Sequence, residues 1–229
     1  MYSLDRAVLE ALNGCMHHVP WLDSVIITCT LNNLLKGGFF MAVVWTLWFA
    51  PSRDRLRDRA SLIATLIGAL FSVILGRALA AGLPHRLRPT QTPGLDLRLP
   101  FGSHVGELRG WSSFPSDHAM MFFELAFGIT FIAPGIGWLL MVYATIVICM
   151  PRVMIGLHFP SDVAGGALIG VATAWLVQRR AVVDAVKAKL VPWSEHRPGL
   201  FYGAMFLLMY QLSDMFSDLR ALVQALRHR

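Results

Sequence analysis

Two histidines, two carboxylates and several arginines stand at short spacings in an otherwise oily chain. Arg88-Pro89 comes first, Pro115-Ser116-Asp117-His118 second, and Arg152 with His158 and Asp162 third. His158 and Asp162 are four residues apart with Pro160 between them, and proline suits the first turn of a helix, where its missing N–H costs nothing. A carboxylate one turn on can reach the imidazole, select the ring nitrogen that carries the proton, and stabilise the cation formed when the other nitrogen attacks. The spacing therefore predicts His158 as a nucleophile supported by Asp162. Arg88 and Arg152 carry planar guanidinium forks that match two phosphoryl oxygens. Pro115-Ser116 opens a helix, so a hydroxyl and free backbone N–H groups form an anion site. His118, in the first turn of that helix, can protonate a departing oxygen. The inventory suits chemistry on a phosphate. No Asp, Glu and His set with metal-ligand spacing accompanies it, so the expected reaction needs no metal and no cofactor.

The elements that must position these groups are membrane helices. With 229 residues, 55% of them hydrophobic and only 15% charged, the chain has lipid as its natural solvent. The expected fold is all-α: one domain over residues 1–229, a polytopic membrane helical bundle of about six transmembrane helices with an N-terminal amphipathic helix. The predicted spans cover residues 25–49, interrupted by Lys36, and 60–83, with Arg77 in the last third. The apolar run 114–150 is too long for one helix and is split by Pro134-Gly135. Two further spans follow at 161–177 and from 200–212, the latter becoming amphipathic beyond Asp214. Residues 1–20 mix Leu4, Val8, Leu9 and Leu12 with Asp5, Arg6 and Glu10, which predicts a helix lying on the membrane surface. Gly166 and Gly170 predict a close helix contact.

The net charge of +6 favours anionic lipid over nucleic acid as a partner, since no basic stretch interleaves with aromatics in a soluble region. Cys15, Cys29 and Cys149 have no metal-ligand spacing. Arg53, Arg55, Arg57 and Arg59 fall on the same side as the basic loop 179–189, the side that positive charge marks as cytoplasmic. Alternation of the spans then sets every polar cluster on the opposite face, and the expected location is the inner (plasma) membrane with the active site extracytoplasmic. Arg86, Arg98 and Arg109 read as headgroup or loop contacts, and Arg86 as a possible contact to a second phosphate. Glu124 reads as a buried structural carboxyl, and His17, His18, His104, His196 and His228 as interfacial groups.

In order and spacing these residues resemble the type 2 phosphatidic acid phosphatases, membrane relatives of the vanadium haloperoxidases. That family carries Lys-x6-Arg-Pro, Pro-Ser-Gly-His and Ser-Arg-x5-His-x3-Asp. Arg88-Pro89, Pro115-Ser116-Asp117-His118 and Arg152-x5-His158-x3-Asp162 match it, and Asp162-Val163 with Gly165-Gly166 extends the third match. The resemblance covers a catalytic core of about residues 60–178. It implies that His158 becomes phosphorylated, that Asp162 supports it, that His118 is acid and then base for the hydrolytic water, and that Arg88, Ser116 and Arg152 hold the phosphate. Three positions depart from the pattern. Ala81 stands where the family has lysine, and Arg77, one turn earlier, is expected to bring that charge to the phosphate. Asp117 replaces glycine, and its backbone N–H is expected to face the phosphate with its carboxylate turned away, since like charges repel. Pro151 replaces the serine before Arg152, removing a hydroxyl contact. The run Phe114-Pro115-Ser116-Asp117-His118-Ala119 looks like that of the bacterial undecaprenyl diphosphate phosphatases, which makes undecaprenyl diphosphate the expected lipid substrate. Phosphatidylglycerophosphate, phosphatidic acid and phosphotransfer to an acceptor other than water stand as alternatives, as does a lipid or ion transporter that uses the arginines only to bind. The oligomeric state is left open.

Overall fold

Prolines and short polar side chains set where the helices start. In the computed structural model, which describes residues 3–100 and 110–227, Pro20, Pro134, Pro160 and Pro198 each occupy the first turn of a helix, and Ser116 and Asp54 cap two others. His104, Arg109 and His228 lie outside the described residues. The order is α1 (Ser3–Asn13), α2 (Pro20–Leu31), a π-helical turn (Leu34–Gly38), α3 (Phe39–Phe49), α4 (Arg55–Gly82), a 3-10 turn (Pro89–Gln91) and α5 (Asp117–Thr130). It continues with α6 (Pro134–Tyr143), a second π-helical turn (Ala144–Cys149), α7 (Met150–Met154), α8 (Pro160–Val177), α9 (Arg180–Lys189), α10 (Val191–His196), α11 (Pro198–Ser213) and α12 (Ser217–Arg227). The fold is all-helical, with no strand among the described residues.

Three stretches are long and apolar enough to cross a membrane: Arg55–Gly82, Pro134–Met154 and Pro160–Val177. The span expected over 25–49 is not one straight rod. Pro20–Leu31 and Leu34–Phe49 meet at 67° and make a fourth span only if taken together. The break has a local cause: Asn32 Oδ1 accepts from the N–H groups of Leu34 (2.9 Å) and Leu35 (3.1 Å), replacing ladder bonds with a side-chain cap, and Gly37-Gly38 adds weak helix formers just beyond. Helices α5 and α11 have 14 and 16 residues, shorter than the roughly 20 an apolar bilayer core requires. By length and composition alone the described residues give three spans, or four if the bent pair is one.

Helix α5 is the central post, packed by α4, α6 and α8. The close contact expected of Gly166 and Gly170 is real: a Cβ at either position would stand 2.6 Å from the Ser116 carbonyl oxygen or 2.2 Å from that of Met120. Small residues let helix backbones touch where lipid offers no hydrophobic drive to associate. The consequence reaches the site, because the contact holds the starts of α5 and α8 together and the Ser116 N–H donates to the Asp162 carbonyl at 3.2 Å.

Helix α1 packs on the bundle by a largely polar stripe. Its buried stripe is Asp5, Leu9 and Asn13 at intervals of four, while Leu4 stays 74% exposed. Asn13 Nδ2 donates to the carbonyls of Met154 (2.7 Å) and Arg98 (2.9 Å), so the helix is docked against α7 and α8 by polar groups that satisfy otherwise orphaned backbone. At the far end of the bundle, the start of α4 meets α9 through a Lys187–Asp54 pair at 3.6 Å. That basic end is a helix length of about 40 Å along α4 from Arg86 and Arg88.

Candidate active site

The three polar clusters meet where the end of α4, the starts of α5 and α8, and the short α7 converge. Pro160 opens α8, and Asp162 in its first turn turns back to accept from the Phe159 N–H at 2.7 Å, so one carboxylate oxygen caps its own helix. The same oxygen, Oδ2, accepts from Ser113 Oγ at 2.5 Å, and Oδ1 accepts from Arg86 Nη1 at 2.5 Å. With these partners Asp162, which is fully buried, is saturated.

His158 is buried one residue before the turn into α8. Its Nδ1 lies 2.8 Å from the Ser113 carbonyl oxygen and 4.0 Å from Asp162 Oδ2. The direct partner of the ring is therefore a backbone carbonyl, not the carboxylate expected from the four-residue spacing. A carbonyl can only accept, so Nδ1 carries the proton and the Nε2 lone pair is left outward. Asp162 meets the histidine at one remove, through Ser113, whose hydroxyl donates to Asp162 and whose carbonyl accepts from the ring. Burial first, and then the charge of Arg88, push the His158 imidazole down to about 3, so the ring is neutral near pH 7 and its lone pair is available.

Across from it, Ser116 caps α5, its Oγ accepting from the Ala119 N–H at 3.5 Å, and it is fully buried. The Asp117 side chain does not turn away as expected. Its Oδ1 accepts from the His118 N–H at 2.8 Å and lies 2.9 Å from His118 Nδ1. The start of a helix favours negative charge, and a carboxylate placed there is within reach of the next side chain. Asp117 thereby orients His118, giving the second histidine the carboxylate partner that the spacing suggested for the first.

The cations are held by backbone rather than by carboxylates. Arg88 donates from Nη1 to the Leu157 carbonyl at 2.8 Å, and Arg152 from Nη1 to the Ile148 carbonyl at 2.9 Å. Both are at least 93% buried, Arg88 Nε has no partner, and among the described residues neither forms an ion pair. Burial pushes the Arg88 guanidinium down, with Asp117 and Asp162 acting in the opposite sense. Two buried guanidinium groups with no ion-pair partner among the described residues can hold an anion with several oxygens.

Arg77 is a correction. It follows Gly76, which faces Met120 and Asp117, and one residue on a helix is a turn of about 100°. Its Nη2 donates to the Met215 carbonyl at 2.9 Å, and it lines a groove with Phe216, Leu219 and Arg220. The C-terminal turn, not the phosphate cluster, holds it. Residues that sequence reasoning passed over complete the site. Arg86, read as a headgroup or loop contact or a contact to a second phosphate, pairs through Nη2 with Asp5 Oδ2 at 2.7 Å as well as with Asp162, and its guanidinium lies 4.5 Å from the Phe159 ring centroid. Asp5 also accepts from the Ser161 N–H (2.9 Å) and Oγ (2.6 Å). Burial alone would raise the Asp5 carboxyl, but the Ser161 and Arg86 bonds hold it below its ordinary value. No spacing or periodicity marks Asp5, Arg86, Ser113 and Ser161 as a set. Glu124 lies deep in α5 with neither carboxylate oxygen hydrogen-bonded among the described residues, close to Gly68 and apart from the site. Among the described residues no three His, Cys, Asp or Glu side chains are grouped to share a metal ion.

Comparison with known proteins agrees with this architecture. The family model of the PAP2 superfamily matches residues 81–182. The bacitracin transport permease protein BcrC of Bacillus licheniformis is 31% identical over 147 residues, 59% of this chain and 68% of that protein. Undecaprenyl-diphosphatase BcrC of Bacillus subtilis (strain 168) is 24% identical over 194 residues, 80% of this chain and 90% of that one. Among solved structures, LpxE of Aquifex aeolicus superposes with a TM-score of 0.55 at 24% identity, covering 77% of this chain and 95% of its own, a likeness of fold.

Proposed function

This chain belongs to the PAP2 superfamily and is a multi-pass membrane lipid phosphate phosphatase, and from that premise we propose that it hydrolyses a lipid diphosphate, undecaprenyl diphosphate foremost, through a phosphohistidine at His158. The observation that carries the mechanism is the hydrogen bond from His158 Nδ1 to the Ser113 carbonyl, which leaves Nε2 as a neutral nucleophile beside two buried arginines that form no ion pair among the described residues. The relative named undecaprenyl-diphosphatase, aligned over 80% of this chain, supports this choice of substrate.

In the first step Nε2 of His158 attacks the terminal phosphorus. The bond from phosphorus to the bridging oxygen breaks, its electron pair leaves with that oxygen, and His118, oriented by Asp117, donates the proton. Lipid monophosphate departs. In the second step His118 takes a proton from water as the water oxygen attacks phosphorus, the P–N bond breaks, and inorganic phosphate is released. Arg88, Arg152, the Ser116 hydroxyl and the start of α5 neutralise the phosphoryl oxygens throughout. None of these roles requires a metal.

The basic end formed by α4 and α9, held by Lys187 and Asp54, supports a cytoplasmic assignment for that end and an extracytoplasmic active site in the plasma membrane. The test is phosphate release from undecaprenyl diphosphate by purified protein in detergent with chelator present. Turnover with a ³²P-labelled histidine on acid-labile digestion is expected. Absence of phosphate release from any lipid phosphate or diphosphate would overturn the proposal.

A further inference from the structure

The C-terminal turn that draws Arg77 away from the phosphate cluster gathers a second arginine with it. Arg77 Nη2 and Arg220 Nη1 donate to the same acceptor, the Met215 carbonyl oxygen, at 2.9 and 2.6 Å. One neutral oxygen thus lies between two full positive charges, and it can order them without cancelling their charge. The turn that presents it is unusual, with Met215 (φ 58°) and Phe216 (φ 60°) both in the left-handed conformation, which side chains other than glycine rarely adopt. The nearby carboxylates are engaged elsewhere. Asp218 Oδ2 accepts from Tyr210 Oη, Asp214 Oδ2 accepts from the Asp218 N–H at 3.1 Å, and Asp117 holds His118. Among the described residues neither arginine forms an ion pair, and Arg77 Nε is buried with no hydrogen-bond partner. A guanidinium offers five N–H donors, so donors remain on both sides of the shared carbonyl.

The surroundings of this pair are apolar. Arg77 and Arg220 line a groove with Phe216, Leu219, Val223 and Gln224, and both of its charged residues are basic. Leu219 and Val223 belong to a stripe that continues through Leu222 and Leu226, at helical intervals of three and four along α12, and these four side chains are 41% to 63% exposed. Asp218 and Arg220 flank the stripe. That is the face an amphipathic helix lays on a bilayer. The groove therefore joins an apolar wall facing lipid to two guanidinium groups, and it lies at the active-site end of the bundle, because Arg77 is in the last two turns of α4.

We infer that this groove binds an anionic phospholipid of the surrounding bilayer, with the phosphodiester between Arg77 and Arg220 and the acyl chains along Leu219 and Val223. A phosphodiester carries one negative charge and two non-bridging oxygens, so each guanidinium can meet one oxygen. The bound lipid relieves the repulsion of the two arginines and ties the end of α4 to α12. The groove is separate from His158, His118, Arg88 and Arg152, and the inference does not depend on the substrate proposed above.

The test takes the full-length protein, stripped of lipid in detergent, and measures binding of phosphatidylglycerol and of phosphatidylcholine by native mass spectrometry. Phosphatidylglycerol should be preferred. Arg77→Met and Arg220→Met should each weaken its binding about tenfold, the scale of one lost charge-assisted hydrogen bond, while phosphatidylcholine binding changes little. Two controls remove an equal charge elsewhere: Arg180→Met from an exposed side chain of α9, and Arg152→Met from the phosphate cluster. Both should leave phosphatidylglycerol binding unchanged. Equal binding of the two lipids, or equal weakening by either control, overturns the site, because general attraction of anionic lipid to a basic protein then accounts for the result. Inorganic phosphate has no chains to lie along Leu219 and Val223 and should not displace the lipid. Displacement at the lipid's own concentration would make the groove a free-phosphate site and overturn the lipid assignment. Should neither variant fold, a photoreactive phosphatidylglycerol on the native protein decides: crosslinks to Phe216, Leu219 or Val223 are expected, and labelling confined to other helices overturns the proposal.

Discussion

Around Asp162, carboxylates and cations are matched. Arg86 spans Asp5 and Asp162, Ser161 and Ser113 close the remaining valences, and the network ends on the carbonyl that holds His158. Around Arg152, buried cations are gathered with backbone carbonyls as their only partners among the described residues, and Asp117 is occupied with His118. The first region is complete as folded and acts as scaffold for the nucleophile. The second lacks that matching among the described residues, as the proposed phosphate site requires. The pairing of a satisfied half with an unsatisfied one separates stability from binding: the same loss of one charge should unfold the first and relax the second.

The largest effect expected is that of His158→Ala, which should lower turnover on the order of 10⁴-fold or more with little change in thermal stability, since only one bond to Ser113 is lost. Activity near normal in that variant would break the comparison at its centre. Next, Arg152→Met should reduce kcat/KM by roughly 10² to 10³, while its melting temperature in detergent stays the same or rises. A clear drop in stability would show that the cation cluster is structural. On the scaffold side, Arg86→Met leaves Asp5 and Asp162 facing each other and should cost on the order of 3 kcal/mol, read by denaturant or thermal unfolding. Adding Asp5→Asn should recover part of that loss, a coupling that an independent pair of sites would lack.

A smaller effect concerns pH. The lowered value of about 3 for His158, against an ordinary 6.5, means that the unfolded chain takes up a proton there before the folded one does. Its contribution to stability is therefore present above about pH 6.5 and is lost as the pH falls from there toward 3. His158→Gln should flatten that part of the acid unfolding curve, and an unchanged slope would contradict the buried neutral ring. The smallest effect is reserved for Arg77→Met, expected to change kcat/KM by only a small factor, because its guanidinium serves Met215. A loss as large as that of Arg152→Met would return Arg77 to the phosphate.

Much of the site is legible because its parts are local. Pro160 with Asp162, and Ser116 with His118, are helix starts, and a helix start is a matter of a few neighbouring residues. The break at Pro134-Gly135 is read the same way, with α5 ending at Thr130 and α6 starting at Pro134. Reasoning from spacing fails where two local choices compete. Asp162 lies within a turn of His158 as expected, but the Phe159 N–H, Ser113 and Arg86 take its oxygens. Arg77 fails for a similar reason, since the side of α4 on which the C-terminal turn packs is not written in α4.

What the sequence by itself determined was the class of molecule and the chemical inventory: apolar spans long enough for a bilayer, capped helix starts, and histidines and arginines suited to phosphate. These follow from composition, periodicity and spacings of a few residues. Only the tertiary structure decided which groups meet across the chain. Asp5 reaches Ser161 over 156 positions and Arg86 reaches Asp162 over 76. Such pairings depend on how helices dock, which is fixed by close backbone contacts such as Gly170 on Met120 and by the need to match buried charge. No single segment carries that information alone.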